Sequence, residues 1–133
     1  MSSILTTIGL AFVILAGLIH ILIFALESVL WRTRSTWRQF GITSAEDAEI
    51  ARPWAFNQGF YNLFLAAGAI TGGAISLAGG EYPWAAVAMF AALCMIGAAV
   101  VLIASSRGKL LRGALIQGLA PLIGVILLAV GLA

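Results

Sequence analysis

Four long apolar runs account for most of this chain, and together they contain a single charged side chain, Glu27. An α-helix rises 1.5 Å per residue, so about 20 apolar residues cross a hydrocarbon core of roughly 30 Å. Each run meets that length. With 62% hydrophobic and 9% charged residues in 133, against about 25% charged in an ordinary soluble domain, a water-soluble globule and a disordered tail are both excluded. No room is left for an extramembrane catalytic domain. The expected fold is all-α: a polytopic membrane protein whose one domain, residues 1–133, is a four-transmembrane-helix bundle.

The first run, about Ile4 to Leu30, far exceeds the 7–15-residue core of a signal peptide. It has no basic residue before it and no small-residue cleavage site after it, so it is expected to stay as helix 1. Composition then changes abruptly between Arg32 and Pro53. Thr43-Ser44-Ala45-Glu46-Asp47 reads as a capped start, and Ala45 to Ala51 as a short cytoplasmic interfacial helix between helices 1 and 2. Pro53 fits the first turn of a new helix, where its missing N–H costs nothing. Helix 2 is expected from about Trp54 to Ala78, a tight turn from Gly79 to Pro83, helix 3 from about Trp84 to Ser105, and helix 4 from about Gly113 to Leu132.

All seven Lys and Arg residues lie in the loops joining helices 1 to 2 and 3 to 4. Four spans put those loops on one side, and the positive-inside rule then predicts a cell-membrane protein with both termini outside and both basic loops cytoplasmic. Trp31, Trp37, Trp54 and Trp84 fall at helix ends and read as interfacial anchors. Basic residues beside Trp31 and Trp37 lie against anionic lipid, so the bilayer is the expected partner and no nucleic acid is. Gly68-x-x-x-Gly72, Ala69-x-x-x-Gly73, Ala114-x-x-x-Gly118 and Ala120-x-x-x-Gly124 offer small faces for close backbone approach. Spacing leaves open whether the other helix belongs to this chain, to a homo-oligomer or to a membrane-complex partner.

Polar side chains inside hydrocarbon are costly and mark the candidate site. Helix rise places Glu27 about 6 Å and His20 about 16 Å from Trp31. Seven residues apart, these two are expected to share a face. Measured from Trp54, Asn57 and Gln58 lie about 5–6 Å in, and Tyr61 and Asn62 about 10–12 Å in. Gln117 enters from helix 4 at a similar level. The candidate ligand-binding cluster is therefore His20, Glu27, Asn57, Gln58, Tyr61, Asn62 and Gln117, with one broad polar face of helix 2 meeting helix 1. One His, one Cys (Cys94) and one membrane carboxylate are too few for a zinc site, so no metal and no cofactor is expected.

The segment His20-x6-Glu27-x3-Trp31, then Phe40-Gly41, then Asn57-Gln58-Gly59-x-Tyr61-Asn62-x-Phe64-Leu65-Ala66-Ala67-Gly68 resembles a family of small four-span membrane proteins known as domain of unknown function 1304. The resemblance implies that the His, Glu, Asn-Gln and Tyr-Asn positions form a family signature. It implies no activity. Three readings stay open: a binding component whose polar pocket receives a small or lipid-like ligand, a membrane enzyme acting on a lipophilic substrate by acid–base chemistry, and a structural subunit of a membrane complex. The lack of an internal repeat, with Pro121 the only proline inside an expected span, counts against alternating-access transport.

Overall fold

The structure, a computed structural model, describes residues 4–80 and 82–131. Helix α1 (Ile4–Phe24) runs into a π-helical turn, Ala25–Val29. A short helix α2 (Arg34–Gln39) follows, then α3 (Ala45–Leu77), α4 (Tyr82–Ser105) and α5 (Leu111–Gly131). Among the described residues, four helices are long and apolar enough to cross a membrane. The bundle forms a ring in which α1 packs on α3 and α5, and α4 packs on the same two. Successive spans are therefore antiparallel neighbours, as short connections favour. Both basic loops meet at one end, where a Cβ built on Gly41 would lie 3.5 Å from the Leu110 side chain. Expected positions Glu81 and Leu132 fall outside the described residues.

Lipid tails are as apolar as leucine, so apolar area alone does not press spans together; close packing does. The buried centre is built mainly from small residues, Ala16, Ala69, Ala88, Ala91, Ala92 and Ala120, around Leu10, Val13, Met95 and Leu128. Large side chains such as Phe64, Phe90 and Val101 point outward. At the α3–α4 and α1–α5 crossings a Cβ would meet backbone. On Gly72 it would lie 2.7 Å from both Ala88 N and Trp84 O, and on Gly124 it would lie 3.1 Å from Gly9 O and 3.2 Å from Val13 N. The small faces of α3 and α5 thus serve helices of this same chain.

Two expectations about the loop are corrected. Ala45 to Ala51 is not a separate interfacial helix, because α3 runs unbroken from Ala45 through Pro53. Proline removes one helical hydrogen bond, here the one that would reach the Glu49 carbonyl. Glu49 is exposed, so water can satisfy that group. Meanwhile Ala48 and Ala55, on either side of the proline, pack together on Trp31 and Trp37 and hold the two parts in line. The N-terminus is capped as the sequence indicates, with Ser44 Oγ accepting from Asp47 N at 3.0 Å. Trp31 and Trp37 are also not lipid anchors. Both are only 6% exposed, and Trp31 Nε1 donates to Ala48 O at 2.9 Å. With Phe40 and Ile42 they form a small second core that seats the loop on α3. Trp54 and Trp84 remain exposed.

Candidate functional site at the basic end of the bundle

The site begins with the π-helical turn. Leu30 N donates to Ala25 O at 2.8 Å, five residues back, so one extra residue is inserted into the turn that carries Glu27 and Ser28. Such turns re-aim side chains and recur at functional sites. Here both side chains meet α3. Asn62 Nδ2 donates to Glu27 Oε2 at 2.8 Å, and Ser28 Oγ donates to Phe56 O at 2.9 Å. The approach depends on Gly59, which is buried. A Cβ there would collide with Ser28 Oγ and would lie 3.2 Å from Glu27 Cβ.

Asn62 is held in turn by its own helix, since its amide also donates to Gln58 O at 3.1 Å. It lies on the side of α3 that carries the buried Gly59 and Ala66 (i, i+3, i+7), facing α1. Asn57, Gln58 and Tyr61 do not join it. All three are exposed, because Asn57 and Tyr61 lie on the outward side with Phe64. The broad polar face expected of helix 2 therefore narrows to one residue, Asn62, in contact with Glu27.

His20 lies deeper than that pair, about 10 Å before Glu27 along the first span, and Gln117 is half-buried on α5. Glu27 sits inside the π-helical turn and meets α3, whereas His20 belongs to the regular helix before it, so α-helical spacing does not hold between them. His20 is fully buried, with Nδ1 at 2.8 Å from Ala16 O. Across α1 and α5, Thr6 Oγ1 donates to Gly131 O, and Gly9 packs on Leu128 and Gly124 on Val13. Continued inward at the same register, this antiparallel pairing would set His20 against Gln117. Among the described residues no three His, Cys, Asp or Glu side chains come together as a metal site would need.

Sequence reasoning missed Ser28 and Gly59 as parts of the site. A π-helical turn has no reliable sequence signal, although Gly59 beside four polar residues marked a close approach. Outward from the Glu27–Asn62 pair, the structure opens into a cleft of about 460 Å³ lined by Glu27, Ser28, Trp31, Arg32, Arg52 and Phe56. Arg52 Nε donates to Glu49 Oε1 at 2.8 Å, an exposed i, i+3 pair. Two arginines and one carboxylate residue thus line the cleft, with the Arg52 guanidinium paired to Glu49.

The family model described as "Protein of unknown function (DUF1304)" matches residues 7–129. The chain belongs to that family. The match extends beyond the polar signature of α1 and α3 to include α4 and nearly all of α5. No curated protein and no solved structure matches the chain.

Proposed function

We propose that this protein binds one amphipathic, lipid-like molecule whose polar head occupies the cleft at the basic end of the bundle. The observation that carries this reading is the grouping of Arg32, Arg52, Ser28 and Glu27 around one opening. Helix length gives its level. The 33 residues of α3 extend about 50 Å, whereas roughly 20 residues cross the hydrocarbon. Counting back from Leu77 sets the boundary near Gln58. Arg32 and Arg52 then stand among headgroups, with Glu27 and Asn62 just inside.

That order matches the chemistry of an anionic lipid. Guanidinium groups bind phosphate through paired N–H donors. Glu27 keeps Oε1 as an acceptor for a hydroxyl nearer the chain. Phe56, at the cleft, leads to Phe60 and Phe64, with ring centroids 5.1 and 6.4 Å apart along α3. Phe64 in turn borders an apolar groove of about 360 Å³ with Leu65, Gly68, Val87 and Phe90. The ribbon provides a surface for the hydrocarbon tail.

The test is native mass spectrometry of the full chain in mild detergent, titrated with a single-chain phosphate amphipath. Losing charge-assisted hydrogen bonds worth about 1.5–3 kcal/mol each should weaken binding at least tenfold in Arg32→Gln/Arg52→Gln. Equal affinity in this variant would remove the cleft from the account. The same proposal places the basic loops in the cytoplasm. Cysteines introduced near Ser2 and Ala133 should then react with an impermeant reagent from outside, and one near Thr43 should not. External labelling at Thr43 would reverse the orientation.

A further inference from the structure

His20 raises a question that the headgroup cleft does not answer. It lies about 14 Å from Val29 along the first span, has no exposure, and its Nε2 has no hydrogen-bond partner among the described residues. Nδ1 faces a backbone carbonyl, Ala16 O, at 2.8 Å. A carbonyl only accepts, so Nδ1 carries the proton and Nε2 presents a lone pair. An acceptor buried without a donor loses its hydration and is costly, about 1–3 kcal/mol. The position calls for a donor.

Helix α5 carries a second acceptor. Pro121 is buried inside α5 and has no N–H, so the Gln117 carbonyl four residues earlier lacks its usual helical donor. The register set by Thr6 with Gly131, Gly9 with Leu128 and Val13 with Gly124, extended about two turns, would bring Gln117 opposite His20. Gln117 is seven residues from Gly124 and hence on the same α1-facing side. At that register two acceptors, one from each helix, would face each other: His20 Nε2, without a donor among the described residues, and the Gln117 carbonyl, without the donor that proline removes. The Gln117 side-chain amide adds a donor and an acceptor beside them.

We infer that His20 and Gln117 hold a buried water molecule that donates to His20 Nε2 and to the Gln117 carbonyl, bridging α1 and α5. Water has the two donors this pair of acceptors requires, and internal waters commonly make about three hydrogen bonds to otherwise unsatisfied groups. In membrane helices, ordered water is one of the means by which backbone freed by proline is satisfied. This site is distinct from the cleft, being about 10 Å deeper along α1.

The experiment is nitrogen-15 NMR of imidazole-labelled full chain in lipid bilayers, with water-edited transfer to His20. The expected result is a neutral ring protonated at Nδ1, an Nε2 resonance displaced by hydrogen-bond acceptance, and transfer from water to His20. Pro121→Ala restores a helical donor to the Gln117 carbonyl and should reduce that transfer at least twofold. Gln117→Leu keeps the carbonyl and should leave most of it. A ring protonated at Nε2 would overturn the inference. So would an Nε2 displacement abolished by Gln117→Leu but untouched by Pro121→Ala, which assigns the donor to the glutamine amide. Should Pro121→Ala fail to fold, the Gln117→Leu spectrum alone still decides between amide and water.

Discussion

Gly72→Ala is expected to loosen the bundle although it adds only one methyl group. Its Cβ would lie 2.7 Å from Ala88 N and Trp84 O, and backbone cannot turn aside as a flexible side chain can. The added alanine propensity, up to about 1 kcal/mol in a helix interior, is outweighed by overpacking of about 1–3 kcal/mol. Gly72→Leu should go further and separate α3 from α4. Gly97→Ala is the matched control, because nothing lies within 4 Å of a Cβ there. Thermal denaturation in detergent should show a clear loss for Gly72→Ala and none for Gly97→Ala. Equal behaviour of the two would mean that the α3–α4 crossing is not this tight.

The Gly72 crossing also shows what could be read from sequence. Four spans, their order and the small faces of α3 and α5 followed from apolar length and glycine spacing, which are set locally. Which helix each small face meets was not legible, since spacing carries no partner identity. Pro53 misled for the opposite reason. Locally it marks a helix start, yet packing of Ala48 and Ala55 on Trp31 and Trp37 keeps α3 continuous. Those tryptophans also look like membrane anchors until the loop folds over them. At the site, Glu27 and Asn62 were recognisable as expensive polar residues in the same half of the bundle. Their exclusive pairing depends on the π-helical turn and on Gly59, and so appears only in three dimensions.

The second large effect concerns that pair. Asn62→Leu should leave Glu27 partly buried without its donor and cost about 1–3 kcal/mol, toward the lower end because Glu27 borders an open cleft. Glu27→Leu leaves one N–H of the Asn62 amide unmet while the other still donates to Gln58 O, so its cost should be smaller. Replacing both by leucine removes both unmet groups and should recover most of the stability, since apolar replacement of a buried polar pair is often nearly neutral. A thermal-stability double-mutant cycle measures this coupling. Recovery would show that the bond is not needed for folding. Were stability alone at stake, the bound-molecule profile of the double variant would match that of the wild type. The account instead expects the double variant to fold and to lose its bound amphipath.

The central claim is that the cleft holds the head of an elongated molecule. Its most direct test is an experimental structure of the chain in lipid nanodiscs doped with the single-chain phosphate amphipath. The account predicts elongated density whose polar end lies within hydrogen-bond distance, about 2.7–3.2 Å, of Arg32 and Arg52, with the tail following Phe56, Phe60 and Phe64. A dry cleft closed by its own side chains, with Glu27 and Asn62 sealed against each other, would contradict it and assign the pair to packing alone.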